Sequence, residues 1–217
     1  DYETYSTLRA RQVFSEVSTD RDLTAGCLRS VYLENTGPTT FARHDLPRIV
    51  QAAPVHGIVS GRIDDDPFPE VVLHGNLFVA ETLYGWQDAG MGAYLEFEDG
   101  RVRPVDNQRS GLFLDGDARS LATLVGEEDR PVVLAGANAD SLTALASPLD
   151  RGAGRVLEAE PGDASVVVRM GDGRVFKKEF YYGSGYYSQS QRSVFVPAAA
   201  ESVRVYRYDG THRDVLP

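Results

Sequence analysis

The feature that most restricts how this chain folds is an internal echo. Tyr32-Leu33-Glu34 returns as Tyr94-Leu95-Glu96, 62 positions later. Val71-Val72-Leu73-His74-Gly75-Asn76 returns as Val132-Val133-Leu134-Ala135-Gly136, with Asn138 just beyond, at an offset of 61. Short apolar runs recur by chance in any strand-rich protein, whereas two separate matches at nearly one spacing indicate a duplicated unit of about 60 residues.

The units read as strands. Runs rich in Val, Tyr, Leu and Phe, at 31–34, 54–59, 70–73, 93–97, 131–134, 165–169 and 202–206, lie between clusters of Gly, Pro, Asn and Asp. Asn35-Thr36-Gly37, Glu98-Asp99-Gly100 and Gly171-Asp172-Gly173 supply glycines able to take positive φ, which lets the chain reverse into hairpins. Helical patterning is confined to about 3–16 and a short Ala-rich stretch at 197–202. The expectation is an all-β protein. Each unit of hairpin plus two or more further strands has the content of one four-stranded propeller blade. Two antiparallel blade-like repeats do not close a ring of four to eight blades. Their faces must be covered by blades upstream in a longer parent chain, by each other and the C-terminal region, or by a partner.

Composition sets outer bounds. The 217 residues are 42% hydrophobic and 25% charged, near the globular average, so wholesale disorder is excluded. The net charge of −10 opposes binding to a phosphate backbone, and no nucleic-acid partner is expected. No window approaches the roughly 20 apolar residues that span a bilayer. Residues 151–217 carry ten Lys+Arg and eight Asp+Glu, which leaves twelve and twenty-four for 1–150. This shift from about −12 to about +2 places a boundary near 148–154 and defines three segments. They are an N-terminal arm (1–27), two repeats (28–150) and a small C-terminal β domain (151–217). No apolar signal region precedes the arm, so any targeting segment is expected to have been removed or to lie outside this chain. Leu23-Thr24-Ala25-Gly26-Cys27 ends like a lipoprotein cleavage box, but charged residues stand where such a signal is apolar. Cys27, the single cysteine, therefore reads as a small core residue and excludes an internal disulfide.

The most suggestive motif is Arg62-Ile63-Asp64-Asp65-Asp66-Pro67-Phe68-Pro69-Glu70, leading into Val71-Val72-Leu73. Calcium loops place oxygen ligands at alternate positions, with a further carboxylate later, and Asp64, Asp66 and Glu70 keep that spacing. With the ending Gly75-Asn76, the segment resembles the FG-GAP or VCBS repeat, whose four acidic positions fall here on Arg62, Asp64, Asp66 and Glu70. The second repeat keeps only Asp115-Gly116-Asp117. Arg62 brings a fixed positive charge to the first ligand position, which favours a metal-free acidic turn over a bound calcium ion. No other cofactor is called for.

The C-terminal segment carries Val166-Val167-Val168-Arg169, Gly171-Asp172-Gly173-Arg174, Tyr182-Gly183-Ser184-Gly185-Tyr186-Tyr187-Ser188-Gln189-Ser190, and Val203-Arg204-Val205-Tyr206 before Asp209-Gly210. In order and spacing it resembles the ASPIC/UnbV domain, although Phe195-Val196-Pro197-Ala198-Ala199-Ala200 stands where that family has a Phe-Gly-Leu-Gly segment. Together the resemblances imply an extracytoplasmic protein, periplasmic or secreted, similar to the cartilage acidic protein group and its bacterial homologues.

No catalytic constellation emerges. His44, His56, His74 and His212 show no metal-ligand spacing, and Ser184-Gly185 lacks the spacing of a nucleophile elbow. Glu127-Glu128-Asp129 reads as a solvated hairpin tip, and Gly85 to Gly92 lacks the spacing of a phosphate cradle. Two readings remain. The favoured one is a non-enzymatic interaction or structural module, an accessory subunit docked on a larger protein assembly, at a membrane surface among the options. The other is a carbohydrate-binding or polysaccharide-acting protein, with Tyr181, Tyr182, Tyr186, Tyr187, Gln189 and Gln191 as a glycan platform. The role favoured for the tyrosines over that platform is to pack, at alternate positions, into the module's own core or against the repeats. Trp86 is a contact residue if its loop is exposed. Tyr2, Tyr5, Leu8 and Phe14 are expected either to close the open side of the first sheet or, the favoured reading, to anchor the arm on a partner.

Overall fold

The computed structural model describes residues 1–13, 23–62, 69–98, 101–146 and 152–215. It is an all-β protein of several antiparallel sheets. β1 (Val31–Gly37) and β2 (Thr40–Asp45) form a hairpin. β3 (Gly57–Gly61), β4 (Glu70–His74), β5 (Ala93–Glu98) and β6 (Arg101–Val105) form a meander in chain order. β7 (Ala118–Val125), β8 (Pro131–Ala137) and β9 (Thr143–Ala146) make a three-stranded sheet. The C-terminal strands are β10 (Gly154–Glu158), β11 (Asp163–Met170), β12 (Val175–Glu179), β13 (Ser193–Pro197), β14 (Ala200–Arg207) and β15 (His212–Val215). There β10 pairs with β13, and the other four form a sheet in the order β12-β11-β14-β15.

Two helical expectations need revision. The single helix over 3–16 is broken into α1 (Tyr2–Thr7) and α2 (Ala10–Val13), with Leu8 between them extended at φ −80, ψ 145. The Ser6 and Thr7 hydroxyls bond to the carbonyls of Glu3 and Thr4, local bonds of the kind that compete with helix propagation. Residues 197–202 are no helix: Pro197 ends β13, a tight turn follows and Ala200 opens β14. The β-branched and aromatic run Val194-Phe195-Val196 prevails over the alanines because its side chains are buried. Cys27 is exposed rather than core. Among the described residues no helix is long and apolar enough to cross a membrane.

The sheets frame the echoed segments differently from the sequence unit. β4, paired with β3 on one side, bonds onward to β5 through Val71↔Leu95 and Val72↔Tyr94. The hairpin β1–β2 thus corresponds to β5–β6, the last two strands of a four-stranded unit, as the offset of 62 between Leu33 and Leu95 requires. A repeat spacing carries no phase, so sequence alone leaves this frame open. The apolar match at offset 61 is also slipped by one. Val71 and Leu73 share a face with Leu95 and Ala93 in one cluster, whereas Val133 and Ala135, not Val132 and Leu134, face back onto the preceding sheet. A slip of one residue exchanges the faces of a strand, and the Asn76–Asn138 spacing of 62 gives the right phase.

The sheets stack as layers. One face of the meander, with Leu73, Ala93 and Leu95, packs on Val50, Leu46 and Val55 from the connection after β2. Its opposite face, with Val59, Val72 and Tyr94, packs on Leu121, Val133 and Ala135 of the three-stranded sheet, helped by Leu112 and Leu114. Gly57 permits this approach, since a Cβ there would lie 2.9 Å from the Leu121 backbone nitrogen. Tyr32 of β1 meets Phe97 of β5 edge to face at 5.3 Å, which joins the hairpin to the stack.

The C-terminal module has its own core of Val166, Val168, Met170, Phe180, Val194, Val196, Ala200, Val203 and Val205. At its rim Asp163 is fully buried and bonded to Arg213 at 2.7 Å. Burial alone would raise its pKa, but the Arg213 hydrogen bond, the Glu160 N–H and the charges of Arg213 and Arg207 outweigh that and hold the carboxyl below its ordinary value.

Candidate functional site

The glycine and asparagine that close the first repeat motif form a junction between layers. A Cβ on Gly75 would lie 1.8 Å from the Pro54 carbonyl oxygen, so no other residue fits. Asn76 is wholly buried; its amide donates to the carbonyls of Gly90 (2.9 Å), Gly116 (3.0 Å) and Asp115 (3.2 Å), and its oxygen accepts from the Gly90 N–H at 2.8 Å. One side chain thereby pins the β4–β5 loop to the turn that opens β7. Asp117 completes the junction. Its carboxylate, 5% exposed, accepts from Arg119 at 2.8 Å, from the Phe78 N–H at 3.1 Å and from Asn138 at 3.3 Å. In the second repeat this acidic position is therefore paired with protein groups.

For the first acidic loop, Asp64 and Asp66 lie outside the described residues. Glu70 is buried at the start of β4, opposite Gly61 in the ladder. Arg62 stands with its guanidinium carbon 5.8 Å from the centre of the Phe195 ring, a contact to the C-terminal module. Among the described residues no group of three His, Cys, Asp or Glu side chains is placed to hold a metal ion.

The loop of 181–192 does two things. Its polar groups cover the open edge of β7: Ser190 Oγ accepts from the Thr123 N–H at 3.0 Å, the Gln191 N–H donates to the Thr123 carbonyl at 2.8 Å, and Gln191 Oε1 accepts from the Val125 N–H at 2.8 Å. Gln189 is exposed and bonded within the loop, to the Gly183 N–H and to the carbonyls of Tyr181 and Ser190. The tyrosines, by contrast, are not in the module's core. Tyr181, Tyr182, Tyr186 and Tyr187 are all at least half exposed. Arg192 stacks 4.0 Å from the Tyr182 ring centre and donates to its hydroxyl, while Tyr186 lies between His56 and Tyr187. A groove of about 400 Å³ runs between this loop and β3, lined by Ile58, Ser60, Tyr181, Ser184 and Gln189 among others.

Trp86 lies on an exposed loop, closed at its base by the reciprocal Leu77–Gln87 bonds of 2.9 Å. It stacks on Phe78 at 4.9 Å with nearly parallel planes, and Val79, Leu83 and Tyr84 beside it are also exposed. Tyr2 and Tyr5 on α1, with Leu8 after it, are exposed too, and α1 buries no residue. Phe14 lies outside the described residues.

Two features escaped the sequence. His56 and His74 are brought together, the His56 N–H bonding to the His74 carbonyl at 3.0 Å, and each ring keeps a buried nitrogen without a hydrogen-bond partner. Burial first, and the neighbouring His56 second, lower the His74 pKa from 6.5 to about 4, so the ring is neutral at pH 7. The second feature is the outer face of the first hairpin. Leu33 stands opposite Arg43, and Asn35 opposite Phe41, on the face away from Tyr32. Leu33 is 55% and Phe41 61% exposed. Their counterparts in the meander are Leu95 and Val102: Leu95 matches Leu33, and Val102 faces Phe97 as Phe41 faces Asn35. Leu95 is 1% exposed, and Val102 packs on the same cluster. Scans of the chain against protein-family models and against curated proteins found no match.

Proposed function

We propose that this chain is a non-enzymatic interaction module, an accessory or structural subunit that docks on a larger protein assembly, in an extracytoplasmic compartment. One observation carries the reading: Leu33 and Phe41 are exposed on a sheet face whose counterpart in the next layer is buried. Exposed apolar faces of this kind mark interaction surfaces. The exposed finger bearing Phe78, Tyr84 and Trp86 and the arm bearing Tyr2, Tyr5 and Leu8 supply further aromatic anchors of the type that dominate interfaces. The FG-GAP/VCBS-like repeats and the ASPIC/UnbV-like module belong to the same proposal, as do the periplasmic or secreted setting and a partner at a membrane surface. The loop of 181–192 supports it as well, because Ser190 and Gln191 are bonded to β7 and the Gln189 amide is engaged by groups of its own loop. The test is a double substitution, Leu33→Glu with Phe41→Glu, in the native host. The variant is expected to fold and to lose co-purification with its assembly; unchanged co-purification overturns the reading.

A further inference from the structure

The uncovered face of β1–β2 has a complement on the same chain. Within the stack each interior layer follows one rule. The face holding Leu95 or Val133 looks back at the preceding layer, and the face holding Val72 and Tyr94 looks forward onto the next. At the far end, the forward face of the three-stranded sheet consists of two rows, Ala122–Leu134–Ala144 and Leu124–Val132–Ala146, set by the β7–β8 and β8–β9 registers. All six side chains are apolar and none is buried; Leu124, Ala144 and Ala146 are exposed. Leu124 also borders a cavity of about 300 Å³ against the C-terminal module, which leaves the β8–β9 part as the open portion of the face.

We propose that a second copy of this chain is the occupant. The Leu33/Phe41 face of one copy packs on the Leu134/Ala144 face of the next and repeats the internal contact in which Val133 and Ala135 meet Val72. The inference rests on the docking reading above and specifies its partner. Two properties of the chain favour a copy over an unrelated protein. Both halves of the contact are present, and the interior junction is a precedent for a face of this position packing on the forward face of the layer before it. The two faces differ, so the contact is head-to-tail and continues until a ring closes or a short stack forms.

Sedimentation velocity of the purified full chain, over about a hundredfold range of concentration, tests this. The mass is expected to rise from 23.8 kDa towards its multiples. Leu33→Glu with Phe41→Glu, and separately Ala144→Glu with Ala146→Glu, are expected to hold the chain at 23.8 kDa with unchanged circular dichroism. An equal mixture of the two variants should form dimers and nothing larger, because each such pair retains one intact junction. Phe41→Glu alone serves if a double variant misfolds. A wild-type chain that stays at 23.8 kDa throughout overturns the proposal, as does wild-type assembly with a mixture that stays monomeric. If the monomeric chain still runs in a larger native complex, docking on another protein stands and self-stacking fails; monomer in both settings sinks both.

Discussion

Gly75 and Asn76 show how much of this architecture rests on single residues. Replacing Gly75 by Ala drives a methyl group to within 1.8 Å of the Pro54 carbonyl oxygen, a backbone atom that no rotamer change can move. We expect a loss of about 3 kcal/mol or more, read from denaturant unfolding. Asn76→Ala strips partners from a buried N–H and three carbonyls and should cost about 2–4 kcal/mol. Asn76→Asp is expected to be worse, since it turns the donor toward those carbonyls into a carboxylate; equal stability of the two variants would contradict the bonding described. His74 provides a pH test. Its folded pKa of about 4 lies below the unfolded 6.5, so in that window the unfolded chain binds more protons and stability rises with pH. About 3–4 kcal/mol should be gained across the window, flat above it, and the slope should vanish in His74→Leu. The motif ending Gly75-Asn76 was readable in the sequence, but its physical reason was not, because Pro54, Gly90 and Gly116 come together only through the fold.

At the scale of elements, the loop of 181–192 behaves as a clasp on β7. Gln191→Ala removes the acceptor of the Val125 N–H, and Ser190→Ala that of the Thr123 N–H. Hydrogen exchange should quicken by tens-fold at Val125 and Thr123 while the Leu134 amide, inside the β7–β8 ladder, is unaffected. Uniform exchange across all three would mean that the clasp does not hold that edge. The arm makes a second element-level prediction. With no buried residue on α1, deletion of residues 1–20 should leave a folded β domain with a melting temperature within a few degrees of the full chain. Unfolding on deletion would place the arm in the core. Strands and hairpins were legible here because alternation and turn glycines are local signals. The clasp was not, because Thr123 and Ser190 are 67 positions apart and nothing in either segment names the other. Nor did the tyrosines of that loop reveal their exposure, since the same residues serve equally in a core.

For the whole molecule, layers explain both what is folded and what is left open. Two interior faces are sealed by Leu95 and by Leu121 with Val133, each nearly or fully withdrawn from solvent, while the outer face of the first hairpin is uncovered. The spacing of 62 between Leu33 and Leu95 announced the repeat, yet it gave no frame and no face, because pairing partners and layer order are long-range properties. In the registers of β1–β2 and β5–β6, the exposed Leu33 and Phe41 contrast with more buried equivalents, and the docking proposal rests on that contrast. The mass of the native species containing this chain, taken from its own source without denaturation, tests it most directly. The expected result is a complex well above the mass of the single native chain that Leu33→Glu with Phe41→Glu dissolves; a native species with the mass of one chain is the opposite result.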